Sequence, residues 1–402
     1  MSKVKINAAK LNGSVQLPPS KSVAHRALIC SFLAGGGTVS PIINSNDMKA
    51  TTGIIESLKN GENVLNSIES GSTLRFMIPV AAALGRDVTF TGEGSLLSRT
   101  IGEYQELLPK HGVSIECNGF LPAKISGKLK NGNFEVNGDV SSQYITGLLM
   151  ALASLEGDSA VVLKTPLQSK PYVDMTVKVL DDYGVKVRET DFGYLIKGSQ
   201  TFKQMNYVVE GDWSHSAFFL SAGAIGGDVT VMGLDMNSTQ GDKAIIDVLK
   251  SFGADIEINE NGITAKKSEL TGTVVDAENI PDLVPMIAVT AAFANGTTVI
   301  KNAERLRFKE SNRIESVVAN LKLMGADVTE TPDGMIINGG RPLYGAELHG
   351  YNDHRIVMAF SVAGANAEGE TVIDDMESIN KSYPSFFEDY KKIGGKSECL
   401  PF

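Results

Sequence analysis

Apolar positions in this chain gather into helical runs that are apolar on nearly every face, each followed by a tight turn and a short Val-type strand. The pattern occurs six times. It predicts helices over Ser22–Leu33, Thr73–Leu84, Gln143–Leu155, Ser216–Ile225, Leu283–Ala294 and Ile356–Ala365, followed by turns and strands such as Gly37-Thr38-Val39 and Asp87-Val88-Thr89. Helices covered with Val, Ala, Leu and Met all round belong inside a fold. A second pattern interleaves with the first: a helix end, a Gly, then an alternating strand. Gly112, Gly184, Gly253 and Gly325 mark it at steps of 72, 69 and 72 residues, with a weaker copy at Gly394. A glycine there suits the left-handed residue that ends a helix and turns the chain into a strand.

A period near 70 residues is too long for a solenoid of small repeats, and each block holds two helices and several strands. A chain of 402 residues is also too long for one ordinary core. The expected architecture is α/β, with two similar lobes of three blocks each, helices inside and sheets outside. The natural breaks put residues 20–208 in one lobe and 1–15 with 212–402 in the other, with hinges near 16–20 and 209–212. Ligands are then expected in the cleft between lobes.

Composition narrows the partners. The net charge of −10 argues against nucleic acid and against an anionic membrane surface, but not against small anions, which respond to local clusters. No uninterrupted apolar run reaches membrane-spanning length, and the N-terminal stretch lacks the apolar core of a signal peptide. Cys30, Cys117 and Cys399 are few and far apart, which suits reduced thiols in the cytoplasm rather than a disulfide framework. Cys117, in the alternating run Val113-Ser-Ile-Glu-Cys117, reads as a core residue. Five scattered His and no Cys pairs give no support for a metal site.

The candidate chemistry sits where the inner helices begin. In Leu17-Pro-Pro-Ser-Lys-Ser-Val-Ala-His-Arg26, two prolines hold the backbone extended and Ser20 stands at the N-cap of an apolar helix. Lys21 and Arg26 then crowd the positive end of a helix, which disfavours cations unless an anion lies between, so the cluster reads as an anion site. Gly71 and Ser72 open the next helix, where small residues let a ligand approach the backbone. Asp139-Val-Ser-Ser-Gln143 opens another with two hydroxyls and an amide suited to a phosphate. Capping alone accounts for Ser, Asp or Asn at any one of these starts. It does not account for Lys21, Arg26, Arg75, His354 and Arg355 recurring there. In Arg305-Leu-Arg-Phe-Lys-Glu-Ser-Asn-Arg313, Glu310 is a carboxylate held among cations, placed to give and take a proton; the alternative is a solvated basic turn with i,i+3 pairs.

Five motifs together resemble the signatures of the 5-enolpyruvylshikimate-3-phosphate (EPSP) synthase family: Ser20-Lys-Ser-Val-Ala-His-Arg26, Asp139-Val-Ser-Ser-Gln143, Ser169-Lys-Pro-Tyr172, Phe308-Lys-Glu-Ser-Asn-Arg313 and Asn352-Asp-His-Arg355. The resemblance spans nearly the whole chain. It implies two lobes of three βαβαββ units each, and transfer of the enolpyruvyl group of phosphoenolpyruvate to the 5-hydroxyl of shikimate 3-phosphate, with phosphate released and no cofactor. It implies a cytoplasmic monomer whose only partners are those two substrates. Ser22 and Arg26 would hold the shikimate carboxylate, and Ser141, Ser142 and Ser169 its phosphate, with Gln143 between the substrates and Tyr172 nearby. Asp282 would accept the hydroxyl proton. Lys21, Arg99, Arg313, Arg355 and Lys381 would surround phosphoenolpyruvate, with Gly71 close to it. Glu310 would protonate the methylene, Lys309 would help bind shikimate 3-phosphate, and His354 would bond the transferred group or orient Glu310. Lys21 is a second candidate proton donor.

The chain departs from the family pattern at Glu69, usually Asn, at Arg305, also usually Asn, and at Ser95, often basic. Two alternatives stand beside this reading. A UDP-N-acetylglucosamine enolpyruvyl transferase would share fold and donor, but it looks for a Lys-Asn pair where this chain has Lys21-Ser22, and for a Cys in a Gly-rich loop. A non-catalytic phosphometabolite binder would have no need of both Asp282 and Glu310.

Overall fold

The structure is a computed structural model and describes residues 2–400. The chain divides into two compact units. A continuous unit comprises Pro19–Val209, and a split unit joins the segment up to Pro18 with the chain from Glu210 onward.

The continuous unit carries helices α1 (Lys21–Leu33), α2 (Asn46–Lys59), α3 (Gly71–Ala83), α4 (Gly102–Leu107), α5 (Ser142–Leu152) and α6 (Lys170–Asp182). The split unit carries α7 (Trp213–Gly226), α8 (Ile245–Ser251), α9 (Val284–Phe293), α10 (Arg313–Leu323), α11 (His354–Asn366) and α12 (Phe386–Lys392). The helices read as apolar all round are the buried ones: Ser72 is the one residue of α3 that is not buried, and Asn366 the one residue of α11. Their starts fall within three residues of those predicted.

The sheets repeat one plan. The split unit has three four-stranded sheets and the continuous unit two. In each, a parallel pair is extended by two antiparallel pairings. For example, Val64–Asn66 pairs parallel with Val88–Thr91, which pairs antiparallel with Ala123–Gly127, which pairs antiparallel with Val113–Glu116. The same order runs through Val274–Asp276, Gly296–Lys301, Gly334–Gly339 and Asp327–Thr331. The turns into these strands follow from the glycines, which sit at φ between +82° and +93° at positions 112, 184, 253, 325 and 394. Past Gly184 the Val185 N–H reaches back to the Leu180 carbonyl at 2.8 Å, and Ala254 and Ala326 repeat this closure on Leu249 and Leu321.

The first block is the exception to the sixfold expectation. Its strand Gly37–Ser40 pairs only with Met205–Val208, in parallel. After α2 the chain has only Asn60-Gly-Glu-Asn63 before Val64–Asn66, which already belongs to the next sheet, so there is no room for an antiparallel hairpin. Cys117 lies one residue beyond the strand Val113–Glu116 and is half-buried rather than in the core. No helix among the described residues is long and apolar enough to cross a membrane.

Candidate active site

In the continuous unit the predicted residues converge on the starts of four helices. Ser20 caps α1 by accepting the Val23 N–H at 3.5 Å, and Lys21, its first residue, bonds Asp47 on α2 at 2.7 Å. Arg26, one turn further on, is buried and serves neutral acceptors among the described residues. It donates to the Ser22 carbonyl at 2.6 Å, the Thr176 hydroxyl at 2.8 Å and the Tyr172 carbonyl at 2.9 Å. Burial lowers its guanidinium to about 10, which leaves it charged at neutral pH. A buried cation with neutral partners is poised for an anion.

The Tyr172 backbone links Arg26 to Ser169, since its N–H also donates to the Ser169 carbonyl at 3.0 Å. Ser169 takes a left-handed conformation (φ +54°) at the N-cap of α6 and is buried. Non-glycine residues in that region are strained and collect at functional sites. Ser141 caps α5 by accepting the Gln143 N–H, and Ser142 is the first residue of that helix. Gln143 donates to Ser72 at 2.9 Å and accepts from Arg75 at 2.8 Å. Gly71 lets the Arg99 guanidinium approach the backbone: a Cβ there would lie 2.6 Å from one of its terminal nitrogens, so the arginine would have to shift.

In the split unit the predicted residues form one knot of charge. Arg313, the first residue of α10 and 1% exposed, bonds Asp282 at 2.8 Å, Glu310 at 2.7 Å and Asp353 at 2.8 Å. Arg355 bonds the other carboxylate oxygen of Asp282 at 2.9 Å, and Lys309 lies 3.7 Å from the first. Asp353 is fully buried; it caps α11 through the Arg355 N–H at 3.0 Å. Burial alone would lower Arg313, but Asp353, Glu310 and Asp282 raise it above its ordinary value. Lys309 goes the other way: burial pushes its ammonium down to about 8, even with Asp282 opposing the shift and 26% of the side chain still meeting solvent. Lys381 donates to the Asn352 carbonyl at 2.7 Å. Tyr351 and Asn352 are both left-handed (φ +55° and +49°) and present that carbonyl. His354 is buried beside Asp353, with a ring nitrogen 3.8 Å from its carboxylate.

Sequence reasoning singled out Arg75, which holds Gln143, but missed three members. Asp47 and Asp353 carry the carboxylates that hold Lys21 and Arg313. Asp242, fully buried, accepts the Ser214 hydroxyl and is raised from its ordinary value by burial and by the charge of Asp282. Asp353 had a legible signal, since it stands at the cap position of a helix inside a quoted motif.

The profile of EPSP synthase (3-phosphoshikimate 1-carboxyvinyltransferase) matches residues 6–390. The chain belongs to the EPSP synthase family. Among EPSP synthase relatives, the 3-phosphoshikimate 1-carboxyvinyltransferase of Clostridium kluyveri is 44% identical, and that of Clostridium novyi 41%; each alignment covers 98% of both chains. A solved EPSP synthase of Acinetobacter baumannii superposes with a TM-score of 0.84 at 28% identity, covering 100% of both chains. The departures from the EPSP synthase pattern are accommodated locally. Glu69 accepts the N–H of Ser95 at 3.2 Å, so two of the altered positions are bonded to each other, and Arg305 donates to the Glu278 carbonyl.

Proposed function

We infer that this chain is an enolpyruvyl transferase that joins phosphoenolpyruvate to shikimate 3-phosphate and releases phosphate, in the synthesis of aromatic amino acids. The observation that supports it best is the Arg313 knot: two carboxylates, Asp282 and Glu310, fixed on a single buried guanidinium. Addition of a hydroxyl across an alkene needs a base at the oxygen and an acid at the carbon. In our assignment Asp282 takes the 5-hydroxyl proton as the oxygen attacks C2 of phosphoenolpyruvate, and Glu310 gives a proton to C3. Elimination then returns a C3 proton to Glu310 while the C2–O bond to phosphate breaks, and the cations stabilise the departing anion.

Of the five N–H bonds of Arg313, four are directed at Glu310, Asp282 and Asp353, which leaves one for the donor. We therefore give Arg313 chiefly the holding of the acid and base. Lys21, Arg99, Arg355 and Lys381 are assigned to phosphoenolpyruvate, with Gly71 beside it. Ser22 and Arg26 are assigned to the shikimate carboxylate, Ser141, Ser142 and Ser169 to its phosphate, and Gln143 to a place between the substrates with Tyr172 nearby. Lys309 also binds shikimate 3-phosphate, and His354 bonds the transferred group or orients Glu310. We further propose that the crossings at Pro18–Pro19 and Val209–Glu210 act as hinges. The test is release of inorganic phosphate with both substrates present and with each omitted in turn. Release is expected only with both; release from phosphoenolpyruvate alone, or none from the pair, overturns the reading.

Lys309 makes the pH dependence specific. Its folded pKa of about 8 lies below the ordinary 10.5, so the fold disfavours the charged form, and the charge is present below pH 8 and lost above it. If that charge binds the shikimate phosphate, kcat/KM for this substrate falls about tenfold between pH 7 and 9. Lys309→Arg keeps its charge throughout and is expected to flatten that limb. A wild-type profile already flat from pH 7 to 9 removes Lys309 from this role.

A further inference from the structure

We propose that Arg75 is a positioning residue that fixes the orientation of the Gln143 amide so that it offers an N–H toward the substrates; the inference rests on the enolpyruvyl transfer assigned above. Arg75 is buried on α3, and its guanidinium meets the Gln143 amide at 2.8 Å and the Thr100 carbonyl at 2.9 Å. Guanidinium has no acceptor, so the Gln143 atom it meets is the amide oxygen. The amide nitrogen then donates to Ser72 at 2.9 Å and keeps one N–H over. Turning the amide round would set its NH2 against a cation. With its orientation fixed, Gln143 keeps an N–H to offer, which suits an oxygen acceptor on whatever lies beside it.

The backbone explains why Arg75 stands there. Pro79 lacks an N–H, so the Arg75 carbonyl four residues earlier has no helical partner. The Tyr104 hydroxyl donates to it at 2.7 Å. Gly147 presses α5 onto the same atom: a Cβ at Gly147 would lie 2.4 Å from the Arg75 carbonyl oxygen. Gln143 is one helical turn before Gly147, which brings its side chain level with the Arg75 guanidinium. The Tyr144 ring lies under that guanidinium, with 5.4 Å from its central carbon to the ring centroid, and the Tyr144 hydroxyl bonds the same Thr100 carbonyl at 2.9 Å. Thr100 follows Arg99, the cation against Gly71. A buried cation with neutral hydrogen-bond partners thus ties Gln143 to the backbone beside Arg99.

The test is steady-state kinetics of the full chain. Arg75→Lys retains the charge but cannot span Gln143 and Thr100. Its KM for phosphoenolpyruvate is expected to rise at least tenfold with kcat within threefold of wild type. Because Arg75 acts through Gln143, the double variant with Gln143→Ala should have a phosphoenolpyruvate KM within threefold of Gln143→Ala alone. An unchanged KM in Arg75→Lys, or a double variant showing the product of both effects, overturns the inference. Gln143→Glu guards against misfolding of the lysine variant. A carboxylate beside Arg75 should leave the melting temperature at or above wild type while raising the phosphoenolpyruvate KM at least tenfold, and a lower melting temperature counts against the contact. Wild-type protein inactive on the substrate pair removes the transferase reading and this inference with it; active wild type with an indifferent Arg75→Lys removes this inference alone.

Discussion

Asp282→Asn is expected to lower kcat by about a thousandfold or more while the protein remains folded, because general-base transfer contributes roughly 10²–10⁴ to such steps and the amide cannot accept the proton. The substitution is nearly isosteric, so shape is not what it removes. Its amide oxygen can still accept from Arg313 or Arg355, but not from both through two oxygens as the carboxylate does at 2.8 and 2.9 Å. One cation then faces an NH2 group. The fold tolerates this, since Arg313 retains Asp353 and Glu310. A second effect identifies the mechanism. Asp282 is the main charge that offsets burial at Lys309, so its loss moves the lysine further below 8. The alkaline fall in kcat/KM for shikimate 3-phosphate should then begin at lower pH in the variant than in wild type. A residual kcat above a tenth of wild type would take the base role away from Asp282. An unmoved alkaline limb would mean that Lys309 does not set it.

The inner helices were legible because every one of them is apolar on all faces and starts on a polar cluster, and neither feature depends on distant contacts. The αL glycines were legible for the same reason: a helix that must stop and turn into a strand needs a residue without Cβ at that point. Sheet order was not. The parallel strand that starts each four-stranded sheet pairs across a long connection, and nothing in a three-residue run such as Val64–Asn66 announces its neighbour. The truncated first block was hidden too, since its helices and strand look like those of the others and only the missing hairpin differs.

The candidate site divides the same way. Cations at helix starts were conspicuous because the macrodipole disfavours them there, and this singled out Lys21, Arg26, Arg75 and Arg355. Their partners were silent. Lys21 looked as if it needed an anion beside it, and the structure supplies Asp47 from 26 residues away on another helix. Only Glu310 and Arg313 are close enough in sequence for an i,i+3 pairing to be read directly, and the structure forms that pair with Arg313 buried rather than solvated.

Arg313→Met is expected to carry the largest stability cost. Methionine fills comparable length in a site that is 1% exposed, so cavity formation is a minor part of the loss. The major part is charge left behind. Asp353 has no solvent exposure and would keep only the Ser311 hydroxyl at 3.1 Å and the Arg355 N–H it caps. Removing one member of a buried pair costs about 3–5 kcal/mol, because the partner is stranded in a medium that solvates it poorly. Glu310 and Asp282 are 21% and 17% exposed, and solvent screening reduces what each adds. For a unit of this size the loss corresponds to a fall in melting temperature of roughly 10 °C. Arg313→Lys separates charge from geometry. A single ammonium restores a counter-charge near Asp353, so most of the stability should return, but it cannot hold Asp282 and Glu310 in a planar fork. Its kcat should stay at least about a hundredfold below wild type, the scale of a mispositioned acid and base. Melting curves of the two variants beside their kcat values decide the matter: a lysine variant that recovers both would show that Arg313 supplies charge alone, and a methionine variant that melts with wild type would show that the three carboxylates do not depend on it.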